Sequence, residues 1–324
     1  MTTYPVLLFH STDDRDLLSL KDLGNIQPEA FERFLVKLKR EFDIVSLQEI
    51  LRHISGVAST KERLLALTFD DGPKSYATQA VPVMETHGLP STCFLITDCI
   101  GDKAIYWRYL YNYCIHKGLA RELAGLIQHE YVADVGMDNI ISFSRNNFDR
   151  AKNRRIIEIL LDRVIPAEEY GNSEKSLFLS PEDIRKLRSN PLVSFGVHTR
   201  SHPVLQCLSD DEIRDEIAGS LDFYRSRIGD EAPMFSIPFG RLFKDYDERT
   251  IAIARSLSIP VVLSAYGGAN EKGQTFCNIR RISVHEGKLA DGMDPFIRTL
   301  RDSAAPVEYI KKEKRLAELF SFRQ

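Results

Sequence analysis

Two short runs hold the residues best suited to chemistry. LALTFDDGPK, Leu65 to Lys74, ends an apolar β-type stretch in two adjacent carboxylates, Asp70 and Asp71, and a Gly-Pro turn. FGVHTRSHP, Phe195 to Pro203, ends a second such stretch in two histidines, His198 and His202. Together they offer two imidazoles and one carboxylate to a divalent cation, with a second carboxylate left to move a proton. Those are the groups that metal-assisted hydrolysis needs.

Neither run is decisive alone. The chain has eight histidines in 324 residues, so a His-x-x-x-His pair arises by chance often enough to be a weak signal. On a helix such a pair would share a face. Here a β-type run precedes His198 and Pro203 follows His202, which places His198 at a strand end and His202 in the loop beyond. A hydrogen-bonded loop histidine explains the pair as well as a metal ligand does. Asp71-Gly72-Pro73 is good turn chemistry without any function. Yet two carboxylates at the end of an apolar strand repel each other, and a cation relieves that. Adjacent strand side chains point to opposite faces, so only an irregular strand end brings both to one cavity.

The elements that must position these groups alternate along the chain. Apolar β-type runs predict strands at 6–10, 64–69, 91–96, 193–197, 234–237, 261–264 and 282–284. Helical spacing predicts helices at 27–42, with Phe31, Phe34, Leu35 and Leu38 on one face, and at 76–87, 181–188, 210–228 and 247–257. Pro28 opens the first, Ser180 caps the third, and Gly88 and Gly229 end the second and fourth. Such alternation argues for a parallel α/β sheet. The candidate residues all follow strands, at the C-terminal ends where barrel enzymes build their sites. Periodicity does not separate a barrel from an open doubly wound sheet.

The stretch between the strands at 91–96 and 193–197 is far longer than one βα connection needs. Residues 101–179 read as a helical insertion capping the mouth, with helices over 107–127 and 148–164 and a polar loop at 168–176. It carries Tyr106, Trp107, Tyr109, Tyr111 and Tyr113. Aromatic faces suit pyranose rings, while packing of cap onto barrel is the plainer reading. Residues 307–323 mix Lys and Arg with Leu, Ile and Phe at helical spacing. A C-terminal helix over 305–324 is expected, packed on the barrel rather than lying on a membrane. The whole chain, 1–324, reads as one catalytic domain.

Composition narrows the class. With 43% hydrophobic residues, 27% charged residues and a formal net charge of −3, the chain reads as a soluble enzyme with a core to bury. A pI near 6.3 and no dominant basic stretch argue against nucleic acid. Five cysteines, odd in number and without a Cys-x-x-Cys, read as reduced thiols. The opening residues lack a positive n-region and a long apolar core, and no apolar run suits a transmembrane segment. A cytoplasmic location is expected, with peripheral contact at the inner membrane surface if the substrate is lipid-linked.

TFDDGP and H-T-x-x-H resemble the first two motifs of the polysaccharide deacetylases, the NodB-homology or carbohydrate esterase family 4 group. Further landmarks fall in that family's order. FSIPFG, Phe235 to Gly240, is similar to the third motif, which ends Pro-Tyr/Phe-Gly. RRISVH, Arg280 to His285, sits where a late strand carries the histidine of the last motif. Val6 to His10 resembles the first strand of many bacterial members, and 210–229 the acidic helix that follows the histidine motif. Ser236 stands where well-studied members carry an arginine that braces the catalytic Asp, as in several bacterial subgroups. Arg281 and Arg241 are therefore the candidates to tether Asp70. The family's fourth motif, an Asp followed by a Trp, has no match after Gly240.

The resemblance implies a distorted (β/α) barrel of seven or eight strands with the helical insertion. It implies a metal-dependent hydrolase that removes an acetyl group from an N-acetylated sugar. Asp71, His198 and His202 would hold the metal, with Zn2+ expected and Co2+, Ni2+ or Mn2+ compatible. Asp70 would act as general base, and a backbone N–H near Phe239 or Gly240 would stabilise the oxyanion. His285 would protonate the leaving amine. His10 and Trp107 would touch the substrate. A cytoplasmic enzyme would meet an N-acetylated oligosaccharide, a lipid-linked glycan or an activated sugar rather than a finished polymer. Two other classes stay open. One is a related C–N hydrolase on a cyclic amide or ureide, whose members commonly alter the metal triad kept here. The other is a non-catalytic glycan-binding protein, which could have lost Asp70. Nothing in the sequence sets the oligomeric state.

Overall fold

In the computed structural model, which describes residues 2–59, 61–229, 233–301 and 306–321, seven parallel strands close into a ring. Its strands are β1 (Val6–Phe9), β3 (Leu64–Phe69), β4 (Ser91–Leu95), β5 (Val193–Val197), β6 (Phe235–Ser236), β7 (Val262–Gly267) and β8 (Ile279–Ser283), with β2 (Asp43–Ile44) attached outside the ring. Hydrogen bonding runs β1-β8-β7-β6-β5-β4-β3, and β3 returns to β1. β2 pairs beside Leu64 and Leu65, on the edge of β3 away from β1: the Val45 N–H donates to Leu65 O, the Ala66 N–H to Pro5 O on the other side, and β4 takes over β2's edge from Leu67 onward. The ring is irregular. β6 has two residues, and the register of β8 on β7 shifts between Ile279 and Arg281. This is the α/β fold of a distorted (β/α) barrel.

Strand residues alternate between two apolar layers, as the pleat requires. Leu7, Phe9, Leu65, Leu67, Phe69, Cys93, Leu95 and Val197 join the large cluster that includes the helices. Val6, Ala66, Phe94, Leu263 and Ile279 belong to a second cluster. Continuing the second parity toward the C-terminal strand ends gives Thr68 and Asp70, Gly196 and His198, Met234 and Ser236, and Arg281. Burial of each Leu or Phe contributes about 1.5–3 kcal/mol, so the apolar pattern pins the register. A one-residue slip would drive Asp70 into the apolar layer. Gly196 is required there: a Cβ would run into the Phe94 ring and the Met234 carbonyl.

Helices cover the ring. α1 (Pro28–Glu41) buries Phe31, Phe34, Leu35 and Leu38 as its spacing predicts. α2 (Leu47–Ile54) follows, and α3 (Val81–Thr86) is entered through a wide turn at Tyr76–Ala80. Between β4 and β5 come α4 (Trp107–His116), α5 (Ala120–Tyr131), α6 (Ile140–Asn146), α7 (Arg150–Ile159), α8 (Ala167–Ser173) and α9 (Pro181–Leu187). The helix expected over 107–127 is two helices, because Gly118 takes φ +87° between α4 and α5. The polar loop expected at 168–176 is largely α8. Glu168 and Glu169 occupy its first turn, where the helix dipole favours them, and Tyr170 packs edge-on against Tyr113 at 5.1 Å. Polarity hid that helix, since it buries one side chain, Tyr170.

α10 (Asp210–Arg227) opens on a capping box between Ser209 and Glu212. α11 (Glu248–Ser256), α12 (Glu286–Ala290), α13 (Met293–Arg301) and α14 (Val307–Ser321) complete the chain. Of the helix expected over 305–324, residues 305 and 322–324 lie outside the described residues. All five cysteines are free thiols, and Cys93, Cys99 and Cys114 are buried. No described helix is long and apolar enough to cross a membrane.

Candidate active site

The end of β3 solves the problem of two adjacent carboxylates. Asp70 still follows the ladder, its N–H donating to the Phe9 carbonyl at 3.0 Å. Asp71 and Gly72 then take φ +71° and +69°. That left-handed turn, which Asp tolerates better than most residues, brings the Asp71 carboxylate to the cavity that Asp70 faces. β5 ends in the same way. The His198 N–H donates to Leu95 O at 2.9 Å, then Thr199 and His202 take φ +64° and +58°. Glu216 of α10 holds this loop. Its carboxylate accepts from the N–H groups of Arg200 and Ser201 at 3.0 and 2.9 Å and from Ser201 Oγ at 2.6 Å.

Three ligand atoms converge there. Asp71 Oδ1 lies 3.5 Å from His198 Nε2 and 3.6 Å from His202 Nε2, and the three lie within 4.8 Å of one another. Metal–ligand bonds of about 2.0–2.2 Å reach all three from one centre. Asp71 Oδ1 is buried with no hydrogen-bond partner, while Oδ2 accepts from Tyr109 at 3.4 Å. Burial, and then the neighbouring Asp70 charge, push the Asp71 carboxyl up to about 8. A cation relieves both. The His198 Nδ1–H donates to Ser236 O at 2.7 Å, which aims Nε2 at the group. His202 Nδ1 meets the Tyr106 hydroxyl at 3.0 Å. Burial lowers the proton affinity of both imidazoles, leaving them in the neutral form that binds metals. The donor set fits a divalent ion.

Asp70 has a different environment. Arg281, fully buried, donates to both its oxygens at 2.7 Å. Ser236 Oγ donates to Asp70 Oδ2 at 3.1 Å and accepts from Arg281 at 2.7 Å. Arg281 also donates to the Ser264 carbonyl at 2.7 Å and to Thr68 Oγ1 at 3.3 Å. Burial works to raise the Asp70 carboxyl, but the Arg281 charge and hydrogen bonds outweigh it. The result is a carboxyl held well below the usual range. Of the two arginines considered as tethers, Arg281 makes the contact. Arg241 does not: the buried Asp245 takes its guanidinium at 2.9 and 3.0 Å.

These groups open on a cavity of about 1440 Å³, also lined by His10, Phe239, Arg241 and His285. That exceeds the roughly 300–1,000 Å³ of common small-ligand pockets. His10 follows β1 beside Asp70; His285 follows β8 beside His10, because Ser283 pairs with Leu8. Burial pushes the His10 imidazole down to about 4, against the pull of Asp70. His285 is lowered by burial and then by Lys288. Phe239, at φ +60°, sets its ring 4.6 Å from that of His202. Gly240 takes φ +68°, where a Cβ would strike the Ala265 backbone; its N–H donates to Pro238 O at 2.6 Å.

Trp107 is not at the cavity, contrary to the expectation that it touches substrate. Its ring is buried at 2% exposure between Tyr111, Phe148 and Phe239, and its N–H donates to His202 O at 3.2 Å. The aromatic ring exposed at the mouth is Tyr266. Sequence reasoning had no reason to select it, nor to make Tyr106 and Tyr109 partners of His202 and Asp71. Their i, i+3 spacing in the aromatic run was the available signal.

Comparison with known proteins points one way. A family model described as polysaccharide deacetylase matches residues 57–262. IcaB from Ammonifex degensii superposes with a TM-score of 0.62 at 16% identity, over 93% of this chain and 98% of that one. The Streptococcus pyogenes deacetylase PplD, solved with acetate, gives 0.60 at 16% identity, over 92% and 98%. The BpsB deacetylase domain of Bordetella bronchiseptica gives 0.55 at 16%, over 87% and 96%. At such identities the structural likeness is one of fold. No curated protein sequence matches the chain significantly.

Proposed function

This chain belongs to the polysaccharide deacetylase family, and from that premise we propose that it is a metal-dependent N-deacetylase. Its substrate is an N-acetylated sugar in an oligosaccharide, a lipid-linked glycan or an activated sugar. The observation that carries the reading is the meeting of Asp71 Oδ1, His198 Nε2 and His202 Nε2 beside an ionised, braced Asp70.

Asp71, His198 and His202 hold the ion; Zn2+ suits a carboxylate and two imidazoles, and Co2+, Ni2+ and Mn2+ take the same donors. When bound, such an ion supplies Lewis acidity toward water and the acetamide carbonyl. Asp70 takes the proton of the attacking water. Arg281 weakens it as a base but keeps it ionised and fixed, so position is its main contribution. The Phe239 N–H is the candidate oxyanion donor, since the Gly240 N–H is already engaged. The departing nitrogen must leave as an amine, and His285 is the candidate acid. His10, whose proton affinity already feels Asp70 and His198, is its competitor. Both imidazoles are lowered, so the proton handed to the amine is one acquired during the reaction. Residues 101–179 act as a cap whose tyrosines orient the ligands, and Tyr266 offers a face to a sugar ring.

The test is acetate release from N-acetylated oligosaccharides and sugar phosphates by purified protein, with its metal content measured. One ion per chain is expected. Replacing His198 and His202 together with Ala should remove both ion and activity; full occupancy in that double variant would overturn the site. His285→Ala and His10→Ala, compared at equal metal content, identify the acid by the larger loss of kcat.

A further inference from the structure

The insertion brings to the cavity one side chain that the reaction above does not use. Arg108 lies in the first turn of α4, between Tyr106, which meets His202 Nδ1 at 3.0 Å, and Tyr109, which donates to Asp71 Oδ2 at 3.4 Å. Trp107 is buried and tied to the His202 carbonyl. Three neighbours bonded to the metal-site residues therefore fix the backbone under Arg108. Its half-buried side chain lines the cavity with Asp71, Tyr106 and Tyr109. It has no hydrogen-bond or ion-pair partner among the described residues.

The other arginines of this cavity are engaged. Arg145 and Arg241 both clasp Asp245, which is fully buried. Arg145 also lies over the Phe239 ring, 4.4 Å from its centroid, and Arg15 pairs with Asp13 at 2.7 Å. Arg145 and Arg241 thus share one carboxylate and Arg108 has none, so the inner wall that the three form is positive. The cavity's acidic side chains outside the reaction site, Asp14, Asp16, Asp22, Asp138 and Glu286, sit exposed on its rim. Water screens them, and Asp16 and Asp22 face Lys21 and His116. Withdrawing a guanidinium from water without a partner is unfavourable, and Arg145 adds to the penalty. A bound anion removes it.

We infer that Arg108 binds an anionic group on the substrate glycan, either the carboxylate of an acidic sugar or the phosphate of a sugar phosphate, while the acetamido group lies at Asp70 and Asp71. A guanidinium recognises both anions through paired N–H bonds. This specificity role rests on the deacetylase reading.

The test compares kcat/KM of the metal-loaded enzyme on three N-acetylated probes of matched length: one neutral, one with a uronic acid, one with a terminal phosphate. An anionic probe should be favoured about tenfold or more, and the preference should shrink as salt rises. Which anion wins separates carboxylate from phosphate. Arg108→Gln should abolish the preference through KM, and Arg108→Lys should restore part of it. Equal kcat/KM on all three probes, or the same proportional loss on all three in Arg108→Gln, overturns the inference and leaves the deacetylase reading standing. If no probe releases acetate, that reading fails, and calorimetry with glucuronate and glucosamine 1-phosphate decides about Arg108. Binding that Arg108→Gln abolishes supports the anion site; no binding to the wild-type protein overturns it.

Discussion

Two identical side chains, adjacent in sequence, are given different surroundings by what touches them. Asp70 has a bidentate arginine, and Asp71 has a buried oxygen with no donor. Environments that push neighbouring carboxyl groups apart assign their roles. Asp70→Asn should keep the ion and lower kcat by about 10²–10⁴-fold, the usual worth of a general base. Asp71→Asn should lower metal occupancy. Metal analysis beside acetate release checks both, and a reversed pattern would exchange the two roles. The aromatic residues divide just as sharply. Trp107→Ala should destabilise the fold by about 3–5 kcal/mol, as expected for a buried ring, measured by denaturant unfolding. Tyr266→Ala, at the open mouth, should leave the unfolding midpoint in place and raise KM.

At the scale of elements, strand ends and one late helix matter most. Left-handed turns after β3 and β5 convert an alternating pleat into a convergent site, and α10 locks the second turn through Glu216. α14 is docked by Glu313, which accepts from Asn278 Nδ2 at 2.6 Å and Arg280 Nε at 3.1 Å. Burial nonetheless pushes Glu313 up from 4.5 to about 7, outweighing Arg280. The folded chain then keeps a proton that the unfolded chain has lost. Its contribution to stability is present below pH 4.5 and disappears as pH rises through about 7. The full effect is at most about 3 kcal/mol. Thermal melts at constant ionic strength should show Tm falling across that window, and Glu313→Gln should flatten the fall.

At the scale of the molecule, the ring closes because the first strand pairs with the last. β1 lies between β3 and β8, so Asp70, His10, Arg281 and His285, from the two ends of the chain, stand on neighbouring strand ends. A site assembled from so many segments would couple the proposed metal binding to folding. An ion at a hundred times its Kd stabilises the folded state by about 2.7 kcal/mol. Chelation should therefore lower Tm by several degrees, and Zn2+ should restore it. The same treatment should not move the Tm of a variant with His198 and His202 both replaced by Ala. Melting curves with and without chelator check this.

Local pattern was enough to read the alternation of strands and helices and the four residues Asp70, Asp71, His198 and His202. Asp70, Asp71 and His198 lie at the ends of apolar runs, where burial of the run dictates its stop, and His202 lies four residues on in the loop before Pro203. The barrel itself came from family resemblance, since periodicity alone is silent on whether an edge strand meets its opposite. The choice between Arg281 and Arg241 was not legible either. Arg281 and Asp70 are 211 residues apart in sequence, and Asp245, not any sequence signal, draws Arg241 away. The aromatic run of α4 showed its composition but not its directions. Which ring faces the cavity and which the core depends on how α4 crosses the strand ends, and long-range packing determines that crossing.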